Sequence, residues 1–195
     1  MIKQVICAAL IAATPTIVSA DVLNEREARR ALYNANRVEV VMMENTGLNA
    51  LEFAAMEEAS SQMLYYAALA YSPDDGLLSN STIAAADHHS VEAAHQAALD
   101  ACNELRNGDA ECIVVSHVRP RNWEGGRALQ LGATATDDFR SNFRGGDAPR
   151  VMVISPLTGK WSIMKGEGAE ERALSDCNTR AAESGATDCI VVVSE

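Results

Sequence analysis

Hydrophobic positions along this chain follow two periods. Between residues 91 and 105, Val91, Ala94, Ala98, Cys102 and Leu105 recur three or four apart, which places them on one stripe of a helix. Ala169, Ala173, Cys177 and Ala181 repeat that stripe later in the chain. A short β-branched run follows each helix, Ile113-Val114-Val115 and Ile190-Val191-Val192-Val193, and such runs predict central strands buried on both faces. In residues 160–165, Trp161 and Ile163 alternate with their neighbours as in a strand with one buried face, whereas the corresponding stretch 77–83 alternates poorly. Nearer the N-terminus, Asn24 is placed to cap a helix running to about Ala35. Residues 38–43 then predict a strand and 49–62 a second helix.

These elements recur as blocks in one order. Ser72-Pro73-Asp74-Asp75-Gly76 and Ser155-Pro156-Leu157-Thr158-Gly159 are turn pentads, with Pro setting φ and Gly supplying a positive φ. Each is followed by Ala-Leu-x-x-Cys-Asn on the helix and Cys-Ile-Val-Val at the closing strand. The predicted unit is β-β-α-β, present at 64–118 and again at 150–195, and the fold class is α+β. A unit of about 50 residues is small for a core of its own, so the two are expected to share or pack antiparallel-rich sheets, helices on one face. Residues 21–63 and the Arg/Gly-rich connector 119–149 lie outside the units.

Residues 1–20 begin with the single cation Lys3, continue through an apolar run and end in Val18-Ser19-Ala20, the pattern of a secretory signal peptide cleaved before Asp21. Removing it takes away Cys7 and leaves Cys102, Cys112, Cys177 and Cys189. An even set of cysteines in an exported chain predicts disulfides, and a periplasmic or secreted location. Because each copy holds one cysteine on a helix and one at a strand start, the duplication selects the local pairs Cys102–Cys112 and Cys177–Cys189. The net charge of −11 excludes general nucleic-acid or anionic-membrane binding, and no later run is apolar enough to stay in a membrane after signal cleavage.

The opening Tyr66-Ala67-Ala68-Leu69-Ala70-Tyr71-Ser72-Pro73-x-x-Gly76, the helical Ala-Leu-x-x-Cys and the closing Cys-x-Val-Val together resemble a bacterial exported domain family of unknown function. The resemblance covers both units, the second with a diverged opening at Arg150-Val151-Met152-Val153-Ile154. It implies a compartment and a fold but no reaction. Similar exported proteins sometimes carry an aminolevulinate synthase name, which the residues do not support. Large pyridoxal-phosphate enzymes need a longer chain and a lysine in a deep cleft, whereas Lys160 and Lys165 fall in a predicted exposed hairpin strand. No cofactor is expected.

Two sets of side chains carry candidate chemistry. All four histidines, His88, His89, His95 and His117, fall in the first unit. His88, Glu92 and His95 are spaced to share one side of a helix as metal ligands, although a second Glu-x-x-His pair is missing. The plainer reading makes His95 a packing residue and His88 and His89 part of a helix N-terminus. The connector carries Arg119, Arg121, Arg127, Arg140 and Arg144 in an otherwise acidic chain. Arg119, Arg121, Trp123 and Arg127 are the candidate site for a small anionic ligand or an acidic protein partner, unless the arginines pair with the protein's own carboxylates. No nucleophile elbow or phosphate loop is present. The expected function is a non-catalytic binding or interaction module of the envelope. The alternative is a small metal-binding protein or metal-dependent enzyme using the first-unit histidines.

Overall fold

The computed structural model describes residues 22–195, so the signal-peptide reading of residues 1–20 lies outside the described residues. Over these described residues the fold is α+β, with five helices and two separate antiparallel sheets. The first sheet has the order β1-β4-β2-β3, from β1 (Val38–Met42), β4 (Ile113–Pro120), β2 (Ala67–Tyr71) and β3 (Ile83–Ala85). The second has the order β6-β5-β7, from β6 (Trp161–Lys165), β5 (Arg150–Ile154) and β7 (Ile190–Ser194).

Side-chain alternation explains the layering. Along β2, Ala68 and Ala70 point to α3 (Val91–Leu105) and meet Ala94, Ala98 and Cys102, the stripe set by the helical period. Leu69 and Tyr71 point the other way, where Met56 of α2 (Ala50–Ser61) and Val115 pack against them. The Ser60 and Ser116 hydroxyls, buried between α2 and β4, share a hydrogen bond of 2.6 Å. In the second sheet Val151 and Val153 face Ala169, Ala173 and Cys177 of α5 (Ala169–Ala182). Met152, Ile154 and Val193 face Phe139 and Phe143 of the α4 (Ala133–Asn142) segment, together with Ala28 and Leu32 at α1 (Glu25–Ala31).

Each sheet therefore carries helices on both faces, where the sequence led us to expect one. The segments outside the two units supply the second layer, because a strand as apolar as β2 or β5 exposes a hydrophobic face wherever no helix covers it. The two units keep separate sheets and do not share one. A further difference concerns the closing strands: β4 is interior, but β7 is an edge strand, met beyond its outer side by a parallel bridge from Leu23 to Val193. The central strand of the second sheet is β5, since the short pentad turn pairs it with β6 and the return from α5 lays β7 on its free side.

Local features recur in both sheets. The Gly76 and Gly159 N–H groups donate to the Ser72 and Ser155 carbonyls at 3.0 and 3.2 Å, closing the two pentad turns with both glycines at positive φ. A register shift falls between Leu69 and Ala70 in one sheet and between Met152 and Val153 in the other, the same distance ahead of Ser-Pro. The disulfides are Cys102–Cys112 and Cys177–Cys189, each with a Cα separation of 6.1 Å. Beside each, an asparagine following the helical cysteine accepts from the strand cysteine: Cys112 N–H to Asn103 Oδ1 at 3.0 Å, Cys189 N–H to Asn178 Oδ1 at 3.2 Å. Asn24 and Asn49 cap α1 and α2 with reciprocal bonds to Glu27 and Glu52. No helix among the described residues is long and apolar enough to cross a membrane.

Candidate functional site

The histidines divide between two sides of α3. Ser90 caps that helix by accepting from the Ala93 N–H at 3.0 Å, so His88 and His89 precede it in a loop. His89 is 3% exposed. Its Nδ1 accepts from the Gly132 N–H at 3.0 Å, which puts its own proton on Nε2, and Nε2 donates to the Lys160 carbonyl at 3.2 Å. Burial pushes its pKa down to about 4, against the pull of that hydrogen bond and of Asp87, so the ring is neutral at pH 7. The backbone of the second unit comes very close here: a Cβ at Gly159 would stand 2.5 Å from the Asp87 carbonyl oxygen. His89 thus acts as a docking residue between the units.

His88 borders a cleft of about 540 Å³ between α3 and the Leu157–Lys160 turn. The α3 residues on that cleft, among them Ala93, Ala97 and Glu104, lie across the helix from His95 at 100° per residue. His88 and His95 are therefore not brought together, because the helix begins after His88 and sends the two rings to opposite sides. His95 instead meets His117 of β4, with ring centroids 5.1 Å apart and planes inclined at 51°. Neither His95 Nε2 nor His117 Nδ1, both buried atoms, has a hydrogen-bond partner among the described residues. Such orphaned atoms cost on the order of 1–3 kcal/mol each. Burial lowers the pKa of His95 and pushes that of His117 down to about 4, helped by His95 and Arg119 and opposed by Glu92 and Glu39. Among the described residues, no three His, Cys, Asp or Glu side chains gather as metal ligands.

The candidate arginines also separate. Arg119 pairs with Glu39 at 2.5 Å and lies 5.2 Å from the centre of the Trp123 ring, while Trp123 Nε1 donates to Gln130 at 3.2 Å. Arg121 and Arg127 instead border a cavity of about 360 Å³ with Arg30 and Arg37. Arg127 is fixed there by stacking 3.9 Å over Tyr33 and by donating to the Ala31 carbonyl at 2.8 Å. The Arg121 N–H donates to the Arg37 carbonyl at 2.9 Å, which ties the end of β4 to the turn before β1. Arg30, Arg37 and Arg121 enter none of the ion pairs among the described residues.

Arg30 also borders a neighbouring cavity of about 660 Å³, where Arg26, Arg29 and Arg144 meet Glu25 and Glu195. That side is partly neutralised. Glu25 lies 2.7 Å from Arg29, 3.9 Å from Arg144 and 3.6 Å from Arg150, and chiefly the Arg29 hydrogen bond holds its carboxyl below the usual range. Arg140 is spent on the Tyr33 carbonyl at 3.0 Å. Lys160 and Lys165, expected on an exposed strand, stand just before and at the end of β6, and both are half-buried. Sequence reasoning missed Arg30, Arg37 and Tyr33 as neighbours of the connector arginines. It missed His117 as the partner of His95. Each of these contacts joins segments far apart in the chain, and no local spacing announces it.

Searches against protein-family models, curated proteins and solved structures return no match for this chain.

Proposed function

We propose that this protein is an exported, non-catalytic module that binds a small anionic ligand on the face formed by Arg30, Arg37, Arg121 and Arg127. One observation carries the reading. In a chain of net charge −11, three arginines from separate segments converge on one cavity without an ion pair among the described residues. Guanidinium forks favour carboxylate and phosphate, and a cavity of about 360 Å³ suits a small ligand better than a protein segment. Arg127 and Tyr33, locked by stacking and backbone bonds, supply a preorganised wall.

Export is supported by the pattern of residues 1–20 and by two disulfides, which persist in oxidising compartments. The shared strand order, the matching register shifts and the two Cys-Asn staples support an origin of both sheets in one duplicated module.

Calorimetry with citrate and with inorganic phosphate is the test. Saturable binding that weakens with salt and disappears in an Arg37→Glu/Arg121→Glu variant is the expected result. Absence of binding to either probe, with an acidic protein captured through the same arginines, would replace the small ligand by a protein partner. Absence of both would remove the reading altogether.

A further inference from the structure

We propose that His95 and His117 form a binding site for a divalent transition-metal ion, Cu²⁺ or Zn²⁺, held by two imidazoles beside the first sheet. This site is independent of the arginine face. Its ligands come from two elements that the fold holds in fixed relation: α3 rests on β2, β3 and β4, and β4 is paired along both edges. A chelate built on a helix and a strand pays little ordering cost on binding.

Three observations converge on an ion as the occupant. The two rings are adjacent, yet neither His95 Nε2 nor His117 Nδ1 donates or accepts a hydrogen bond among the described residues. Unsatisfied ring nitrogens on two adjacent imidazoles are unusual for a native interior, and an ion bound between the rings would satisfy both. Two carboxylates act on the pair. Glu92, one turn before His95 on α3, acts electrostatically on both rings, and Glu39 acts on His117. That charge offsets the cost of bringing a dication to the site, although Arg119 is turned toward Glu39 and repels it in part.

The donor set selects the ion. Imidazole suits Cu²⁺ and Zn²⁺, and all four cysteines of the described chain are tied up in disulfides, so no thiolate competes for a soft monovalent ion. With two protein ligands, water or an added anion takes the remaining coordination positions. Both rings are half-buried, and a rotamer adjustment of either one admits the ion.

The experiment is calorimetric titration of the disulfide-bonded chain with Cu²⁺ and, separately, with Zn²⁺. One ion per chain is expected for at least one of the two metals. His95→Asn and His117→Asn should each weaken it by about tenfold or more, while His88→Asn, on the far side of α3, should leave it unchanged. Near-UV circular dichroism of each variant checks that the fold survives. A second readout needs no substitution: substoichiometric Cu²⁺ should broaden the imidazole NMR signals of His95 and His117 ahead of those of His88 and His89. Absence of stoichiometric binding by both metals would overturn the proposal, as would binding that survives in the His95→Asn/His117→Asn variant or broadening centred on His88. Failure of the arginine-face titrations leaves this result untouched, since no arginine is a ligand here.

Discussion

The two sheets are built alike and equipped differently. Both place the strand before the pentad turn in an interior position, shift register at the same point and staple a helix to a strand through Cys-Asn and Cys. When the chain is aligned on its cysteines, Glu170 and Ser194 stand where the first unit has His95 and His117. The alignment holds in space, because Ser194 lies opposite Val151 as His117 lies opposite Ala68. The outer edges differ as well: β1 pairs with Ser116–Pro120 of β4, whereas β7 meets only the bridge from Leu23. The lesson is that the staple and the turn hold the scaffold, while the titratable groups differ at matched positions within it. Residues outside the repeated elements, in α1, the turn before β1 and the connector, supply most of the basic face.

Four measurements sharpen or break this comparison. The largest effect is expected on the cover of the second sheet. Phe139, fully buried against Met152 and Val193, fills that face, and Phe139→Ala should cost about 3–5 kcal/mol by chemical denaturation. Met56, partly buried over the first sheet, should cost clearly less when cut to Ala. Equal losses would mean that the two covers are energetically equivalent, against the difference drawn here.

Next come the disulfides. They span 10 and 12 residues, so each should contribute somewhat under about 3 kcal/mol through the unfolded chain. The Cys177→Ala/Cys189→Ala variant should lose more than Cys102→Ala/Cys112→Ala, since β7 has one full neighbour and β4 has two. The reverse order of melting temperatures would show that sheet edges do not govern this difference.

The third effect is a pH dependence centred on the first unit and its docking contact, with the lowered Glu25 carboxyl adding a loss at the acid end. His89 titrates at about 4 in the fold and near 6.5 when unfolded, so between these values the unfolded chain binds more protons. Stability from His89 is full above pH 6.5 and falls as the pH drops toward 4, by up to about 3 kcal/mol. Asp87 and Asp188 face the ring and favour its protonation, while His88 opposes it. Denaturation from pH 7 to pH 4 should show this slope, and His89→Asn should flatten it. His88, His95 and His117 are lowered too and add in the same direction, so a smaller slope remains. An unchanged slope in His89→Asn would remove His89 as the docking residue.

The smallest effect concerns α2. Ser60→Ala leaves the buried Ser116 hydroxyl without its partner and should cost about 1 kcal/mol. A neutral result would mean that Met56 alone seats the helix.

Much of the fold was legible because its signals are local. The apolar period over 91–105 marked α3 with its observed ends, and Asn24 and Asn49 cap the helices they were expected to cap. The first helix stops at Ala31, short of Ala35, where Leu32 turns extended. α4 went unread inside the connector: its Thr, Asp, Ser and Asn content is poor for a helix, and Gly132 at its N-cap offers no side chain. Leu131, Ala135, Phe139 and Phe143, four apart and buried together, were the signal that could have found it. β3 shrank to Ile83–Ala85 because hydrogen bonds among Asp75, Ser79, Ser81 and Thr82 curl the preceding residues into turns.

By itself the amino-acid sequence determined the helical stripes, the caps, the pentad turns, the charge balance and, through its recurring Cys-containing blocks, which cysteine meets which. These depend on residues within a few turns of one another, or on short blocks of residues that recur along the chain. Only the tertiary structure decided that β7 lies at an edge, that His95 meets His117 and not His88, and that Arg121 and Arg127 join Arg30 and Arg37. Those outcomes follow from how helices seat on sheets and how separate segments meet, and such long-range packing leaves no period in the chain.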